Sequence, residues 1–439
     1  MKMKKKILAF AAAAAVFLAS CTASLSASQS WEVKQPSVTK DQDLQKYMDS
    51  EKHNYDRRDH LEKTALSSLY KVKQKQFALK TLPLLHRNSE ESTVISPLNL
   101  YMALSMLGEC AAGETRDLLF DLLDAESIEE LRTMNDLLWQ AHQQFTPAVT
   151  EMVNNSLWLS DRYNFSSSLP EIMNNDYHAS VYRGEMGSEK LNQQFRKWLN
   201  EKTNGLLKEQ VQGQQLSPEV SAALVSALYL KAAWAEQFIP DFTAGDVFKA
   251  PAGGIETEMM HGTFYGNVYR ADGWSAHDLS LNDLGKLWLY LPEEGTSLQD
   301  ILCDPAAYDL AQGSETDLIK ESGDVHLSVP KLDLKSERSI VKEMKELGLE
   351  RIFSEDADFS NLSEETAMCV SDIRHAAALK TDEEGLEAAA FTIIEMEEAV
   401  SVVETKQIEF RCDRPFLFIL TGDDGSILMS GTVYNPVQN

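Results

Sequence analysis

Residue types that catalyse reactions are present in this chain, but none of them falls in a spacing typical of an active site. The sequence contains no G-x-S-x-G, no G-x-x-x-x-G-K-[ST], no G-x-G-x-x-G and no H-E-x-x-H. Its nine histidines are scattered, and its 68 acidic residues are too many for any two to be singled out as an acid/base pair. We therefore expect neither an enzyme nor a metal or cofactor site. A Ser/His/Asp site assembled from distant residues is the alternative.

The segment with the most unusual pattern runs from Lys380 to Phe410, KTDEEGLEAAAFTIIEMEEAVSVVETKQIEF. Counted in twos from Leu386, positions 386, 388, 390, 392, 394 and 396 carry no charge, whereas the acidic residues fall at the other parity until Glu398. As a strand, the segment would bury one face and expose its acids. This pattern suits a segment that is exposed at one time and buried in a sheet at another. An exposed alanine-rich helix and a long irregular loop are the other two interpretations.

The first 20 residues contain four lysines, no acid and an apolar run from Ile7 to Leu18. The run is too short to span a bilayer and is typical of a secretion signal. It ends in Leu18-Ala19-Ser20-Cys21, which resembles the lipobox of bacterial lipoproteins. We expect residues 1–20 to be a lipoprotein signal peptide, Cys21 to be lipidated, and residues 21–60 to form a flexible tether of roughly 35 Å reach. The alternatives are an ordinary signal peptide with Cys21 as a bystander, and a partly helical stalk at 43–61.

The charge of the chain limits its partners. The net charge is −27, and without the first 20 residues it becomes −31, from 37 basic and 68 acidic residues. This surplus repels phosphates, so we expect no binding to nucleic acid and membrane contact only through an N-terminal lipid. The remaining cysteines, Cys110, Cys303, Cys369 and Cys412, include no C-x-x-C pair, which excludes a zinc ribbon and a dense disulfide framework.

Hydrophobic periodicity predicts the elements that must position these segments. Helices are expected from about Leu61 to Leu84, from Ser96-Pro97 to Gly108, from a Thr115 cap to Leu122, and from Leu191 to Asn204-Gly205. Strands are expected at 224–233, 287–291 and 325–332, and at 415–420 and 427–433 around an Asp-Asp-Gly-Ser hairpin. The order favours an α+β fold.

Eight stretches in a fixed order make the chain resemble the serpins from about Leu66 to Pro436. They are VISPLNLYMALSMLGECAAGET (94–115), KTNG (202–205), LVSALYLKAAWAEQF (224–238), MMHG (259–262), LGLERIFSEDADFSNLS (347–363), HAAALKTDEEGLEAAA (375–390), RPFLFIL (414–420) and ILMSGTVYNP (427–436). The resemblance implies one domain at 61–439, with three β-sheets, about eight or nine helices and an exposed reactive-centre loop at about 383–410.

The resemblance also implies a suicide-substrate inhibitor. In inhibitory serpins a serine protease attacks the loop and forms an acyl-enzyme, after which the cut loop inserts as a new strand of the main sheet and traps the protease. The uncut form is then a kinetic trap. Around a dozen new ladder bonds at about 1 kcal/mol each are ample to drive insertion.

Functional residues follow from the matching motifs. The hinge that enters the sheet first would be Glu383, Glu384, Gly385, Leu386, Glu387, Ala388, Ala389 and Ala390. The polar shutter cluster under the sheet would be Ser96, Asn99, Ser226 and His375, and Trp234 would lie near the point of first insertion. The chain departs from the family at Leu386, usually Thr or Ser, and at the bulky Phe391. It also has Asn99 for a usual serine and Ser226 for a usual asparagine.

The scissile bond is placed between Ala399 and Val400 by the family's distance from Gly385, with Val400-Ser401 and Ser401-Val402 as alternatives. A small residue there favours elastase-like or subtilisin-like serine proteases, and the acids at 395–398 favour a basic protease surface. Cleavage after Met396 or Glu398 is the competing choice. We expect a secreted bacterial monomer, anchored to the outside of the cell membrane or to the outer membrane. The alternative is a non-inhibitory serpin that binds or chaperones another molecule.

Overall fold

The computed structural model of the protein describes residues 10–20, 66–87, 90–145, 149–205, 207, 211–314, 316–365, 367–386 and 405–437. These residues form nine α-helices: α1 Leu66–Leu85, α2 Pro97–Cys110, α3 Gly113–Leu123, α4 Ile128–Ala141, α5 Leu169–Asn175, α6 Glu189–Lys202, α7 Leu298–Leu302, α8 Pro305–Ala311 and α9 Val341–Met344. Short 3₁₀ turns lie at Pro240–Phe242 and Glu350–Phe353, and a π turn at Lys345–Leu349.

The main sheet, sheet A, contains eight of the described strands. They are β1 Phe10–Ser20, β3 Gln143–Phe145, β4 Val149–Ser160, β5 Ala179–Gly184, β6 Val220–Ala233, β12 Asp333–Ser339, β13 Met368–Lys380 and β14 Gly385–Leu386. The order across the sheet is β12-β13-β1-β6-β4-β3, with β5 on β4 and β14 on β6. Because β1 is antiparallel to both of its neighbours, β6 and β13 run parallel to one another on either side of it.

The other nine described strands form one hydrogen-bonded assembly in two parts. β7 Ala244–Ala250, β8 Gly253–Arg270, β11 Ile319–Pro330 and β15 Gln407–Arg411 make sheet C. β9 Trp274–Leu281, β10 Gly285–Pro292, β16 Phe416–Gly422, β17 Ile427–Val433 and β2 Thr93–Ile95 make sheet B. Only three pairs, at Val268–Arg270 of β8, join the two parts. The three sheets and nine helices confirm the predicted α+β fold.

Helix α2 lies at the centre of the fold, and all of its residues are buried. It packs against β1 and β6 of sheet A and against β17 of sheet B. Ser96 caps its first turn by accepting a hydrogen bond from the Asn99 amide, and Pro97 occupies the first turn, where a missing N–H costs nothing. The helix therefore fixes Ser96 and Asn99 under the middle of sheet A.

Most of the elements predicted from periodicity are present. Helices α1, α2 and α6 and strands β6, β10, β11, β16 and β17 match, and both Asn204 and Gly205 adopt the left-handed conformation that ends α6. The cap prediction at Thr115 is wrong, because α3 begins at Gly113 and the Thr115 hydroxyl accepts a hydrogen bond from the Asp358 amide instead. Among the described helices, none is both long and apolar enough to cross a membrane.

The predicted signal peptide overlaps strand β1. Residues Phe10–Ser20 lie between β6 and β13 as a full strand of sheet A. The removal of residues 1–20 as a signal peptide stays a prediction. Residues 21–60, with Cys21, lie outside the described residues.

Candidate functional site

Residues near the start of the predicted loop are hydrogen-bonded to sheet A where β6 ends. Gly385 and Leu386 pair with Ala233 and Ala232 at the end of β6. The Leu386 side chain is completely buried. An apolar residue suits this place, which accounts for leucine where the family usually has Thr or Ser. Gly385 and Leu386 of the predicted hinge thus belong to sheet A.

The turn before Leu386 is held by the side chain of Asp382, which is part of the turn. Oδ1 of Asp382 accepts hydrogen bonds from the amides of Glu384 (2.9 Å) and Gly385 (3.3 Å). Gly385 also packs so closely on β6 that a Cβ there would lie 2.3 Å from the Ala232 carbonyl oxygen. Any larger residue at 385 would push the loop away from the sheet, so glycine is required by this close approach.

Trp234 holds the same turn through two hydrogen bonds. Its indole Nε1 donates to the Asp382 carbonyl at 2.8 Å, and its amide donates to the Glu384 carbonyl at 3.0 Å. The ring is buried and meets Phe238 edge to face, with the ring centroids 6.5 Å apart. Trp234 therefore contacts the start of the predicted hinge, while its place near the point of first insertion stays a prediction.

Glu383 carries a short ion pair at the side of the hinge. Its carboxylate lies 2.8 Å from Nζ of Lys331 and accepts from the Thr243 hydroxyl at 2.7 Å. Partial burial acts to raise the pKa of Glu383, but these two hydrogen bonds outweigh it and hold the pKa below its ordinary value. Burial likewise acts to lower the pKa of Lys331, yet its pairing with Glu383 raises it above the usual value. Both partners are therefore charged at neutral pH.

The four predicted shutter residues meet under the centre of sheet A. Nε2 of His375 accepts from the Ser96 amide at 3.0 Å, and Nδ2 of Asn99 donates to the Ser226 hydroxyl at 3.2 Å. The Ser96 hydroxyl lies 2.7 Å from Oδ1 of Asn99 and 2.8 Å from the Leu428 carbonyl oxygen. The cluster therefore links α2 to β6, β13 and β17.

His375 is neutral in this cluster. Burial, and next the positive charge of Arg338, lower its pKa to about 3. Among the described residues, its Nδ1 has no hydrogen-bond partner. His86 is buried nearby and its pKa is also lowered to about 3, by burial, by Arg338 and by His375. The region thus favours uncharged imidazoles.

The space between β6 and β13, here called the sheet slot, is one strand wide and is occupied by β1. With adjacent strands about 4.8 Å apart, β6 and β13 stand about 10 Å apart. Both walls carry many small residues: Ala222, Ala223 and Ala227 on β6, and Ala376, Ala377 and Ala378 on β13. At its midpoint Ser226 and His375 face each other across β1, because both pair with Ala14. A strand in the slot runs antiparallel to both β6 and β13.

The structure brings part of the predicted site together and leaves part outside its described range. Glu383, Glu384, Gly385 and Leu386 lie beside Trp234, and Ser96, Asn99, Ser226 and His375 form one cluster. Glu387, Ala388, Ala389, Ala390, Ala399 and Val400 lie outside the described residues.

Sequence reasoning missed Lys331, Thr243 and Asp382, which hold the hinge. No local spacing signals Lys331 or Thr243, because each is distant in sequence from the residue it contacts. Among the described residues, no group of three or more His, Cys, Asp or Glu side chains could hold a metal ion.

Comparison with known proteins gives the same family throughout. The family model described as "Serpin (serine protease inhibitor)" matches residues 72–436. An uncharacterized serpin-like protein of Thermococcus kodakarensis is 26% identical over 358 residues, which cover 79% of this chain and 82% of that protein. Antichymotrypsin-2 of Bombyx mori is 27% identical over 365 residues, covering 80% and 93%.

A solved structure shares the fold at low identity. Human thyroxine-binding globulin, in a complex with thyroxine, superposes with a TM-score of 0.71 at 21% identity, covering 84% of this chain and 100% of that one. The family match covers most of the chain, and the matched residues include the hinge turn and the shutter cluster. This protein therefore belongs to the serpins, a family of protease inhibitors rather than enzymes.

Proposed function

We propose that this protein is an inhibitory serpin that traps serine endopeptidases as covalent acyl-enzymes by inserting its cleaved loop into sheet A. The observation that carries the proposal is the start of the loop, Gly385–Leu386, which is paired with β6 at the upper end of the sheet slot. The first two residues of an insertion that began here would already be in register with β6.

The free energy of strand pairing also favours insertion of the loop. Without β1, the slot would offer a ladder edge on β6 and another on β13, and each new ladder hydrogen bond would contribute about 1 kcal/mol. Small residues on both walls let a strand pass without steric clash. The alanines at 388–390 would lead the insertion, and the uncharged parity that begins at Leu386 would face the core. The departure at Leu386 is therefore compatible with inhibition.

The decisive experiment is a denaturing gel. The protein is incubated with elastase, subtilisin or trypsin, and the released C-terminal peptide is sequenced. Inhibition predicts a covalent complex that survives detergent with elastase or subtilisin. A peptide that begins at Val400 would assign the bond to Ala399-Val400. Clean cleavage without a complex would overturn the proposal and favour the alternative, a non-inhibitory serpin that binds or chaperones another molecule.

The protease class rests on the bond that is cut. Ala399 would place a small side chain in the primary pocket of the protease, which suits elastase-like or subtilisin-like enzymes and not trypsin-like ones. The matched variant Ala399→Arg should shift complex formation toward trypsin. If the wild type is instead cut after Met396 or Glu398, the targets are chymotrypsin-like or glutamyl-specific enzymes.

Localisation is proposed from residues 1–21. We infer a secreted bacterial lipoprotein, held outside the cell membrane or at the outer membrane by a lipid on Cys21 and acting as a monomer. Expression in a bacterial host with labelled palmitate should label the wild type, while Cys21→Ser should stay unlabelled. Equal labelling of both, or of neither, would contradict the lipid anchor.

A further inference from the structure

Strand β1 occupies the place that a loop insertion would need. Ala11 pairs with Tyr229 of β6 on one side and with Ala378 of β13 on the other. The pairing continues on both sides as far as Ala19, with one register shift against each neighbour. Residues Phe10–Ser20, here called the plug, therefore fill most of the length of the sheet slot.

The plug and the hinge lie end to end on the same edge of β6. Leu386 pairs with Ala232, and Phe10 pairs with Leu230, so only Lys231 of β6 lies between them. A chain that continued past Leu386 in the same register would reach the Leu230 position two residues later. That position is taken by Phe10. The plug and an inserting strand thus exclude each other.

The sequence of the plug suits the slot. FAAAAAVFLAS contains no charge and no proline, and five of its residues are consecutive alanines. Ala14 occupies the position between Ser226 and His375, where the slot crosses the shutter cluster. A strand of small apolar residues can pair on both edges there without burying an unpartnered charge. The reactive-centre loop needs the same properties for its insertion.

We propose that the plug is an internal competitor of the reactive-centre loop, so that a chain which retains residues 10–20 in the slot cannot trap a protease and one which releases them can. This inference rests on the proposed function. Release of the plug leaves β6 and β13 to pair directly as parallel strands or to admit another strand. Removal of the N-terminal segment would then activate the inhibitor.

A reversible cross-link tests the competition. Ala12 pairs with Ala377 of β13, and opposed Cα atoms in an antiparallel pair lie about 4.5–5.5 Å apart, within the range for a disulfide. The full chain with Cys21→Ser receives Ala12→Cys and Ala377→Cys. Mild oxidation should form an intramolecular bond that changes gel mobility, and Ala12→Cys alone should not form it. Oxidised protein should form covalent complexes at least about tenfold more slowly than the same protein after reduction.

A second pair of variants does not depend on a disulfide. Ala14→Glu places a charge in the middle of the plug, while Ala27→Glu makes the same change outside it. Ala14→Glu should raise amide hydrogen exchange along β6 and β13 and should inhibit faster than Ala27→Glu.

The outcomes separate the two proposals. No cross-link on oxidation, together with equal exchange in both glutamate variants, would overturn the plug. Equal inhibition rates for oxidised and reduced protein would overturn its role as a competitor. If the cross-link and the exchange difference are found but no variant forms a covalent complex with any protease, the proposed inhibitory function is overturned while the occupancy of the slot stands.

Discussion

Replacement of Leu386 by glutamate should convert the inhibitor into a substrate. The leucine side chain is fully buried and its backbone is paired with Ala232. Burial of a leucine contributes about 2 kcal/mol, and a buried carboxylate without a partner costs more than that. The resting protein avoids the cost when the hinge leaves the sheet, but insertion requires residue 386 to return. A barrier raised by about 2.7 kcal/mol slows insertion roughly 100-fold, which gives water time to release the protease.

The assay compares Leu386→Glu with the matched variant Leu386→Met, which keeps the site apolar and nearly the same size. Both should be cut at the same rate, because the scissile bond lies outside the hinge. The methionine variant should form detergent-stable complexes, whereas the glutamate variant should yield cleaved protein and active protease. Equal stoichiometries of inhibition for the two variants would refute the reasoning that buried pairing at 386 starts insertion.

Three further predictions concern the groups around the hinge and shutter. Lys331→Met should lower the free energy of unfolding by about 1–3 kcal/mol in urea titrations at pH 7, since the depressed pKa of Glu383 contributes stability above its ordinary pKa near 4.3. That difference should vanish as the pH falls through the folded pKa, and its persistence at low pH would contradict the ion pair. Burial lowers the pKa values of His86 and His375 to about 3. The free energy of unfolding should therefore fall as the pH drops below about 6.5, by about 1.4 kcal/mol per pH unit for each histidine. An unchanged slope of stability against pH in His86→Gln would contradict this. Trp234→Phe removes the indole donor to the hinge turn and should cost about 1 kcal/mol while raising hydrogen exchange at the hinge amides, and unchanged exchange would count against the contact.

Local signals explain the parts of the fold that the sequence predicts. Helix α2 is marked at its start by Ser96 and Pro97, whose capping and backbone effects act within one turn. The hairpin between β16 and β17 is marked by Gly425, which adopts a positive φ of 82°. Each of these signals involves residues only a few positions apart, so composition and spacing are enough to find it.

Strand β4 shows why other elements escape such reasoning. It pairs with β6 through the middle of sheet A, yet it contains Thr150, Glu151, Asn154 and Asn155, which obscure its apolar pattern. The structure satisfies two of these buried polar groups from elsewhere in the fold. Glu151 lies 2.8 Å from Nδ1 of His142, and Asn155 donates to the Tyr177 carbonyl. A central strand can thus contain buried polar residues when distant parts of the fold supply their hydrogen-bond partners.

The N-terminal segment shows a different limit of sequence reasoning. A short apolar run of small residues satisfies the pattern of a secretion signal and that of a buried strand equally well. The strand requires two partner edges, which β6 and β13 supply, both more than 200 positions further along the chain. Periodicity carries no information about such distant partners, whereas the family resemblance specifies where a strand is accepted but not which segment supplies it.

The shutter shows that a departure from the family pattern need not remove an interaction. Asn99 on α2 and Ser226 on β6 exchange the residue types that serpins usually have at these two places, yet the amide still reaches the hydroxyl at 3.2 Å. Because the longer side chain now belongs to the helix, Asn99 also lies 2.7 Å from the Ser96 hydroxyl, and a single residue joins the helix cap to the wall of the slot. The exchange therefore preserves a polar connection between α2 and β6 although both residue types differ from the usual pattern.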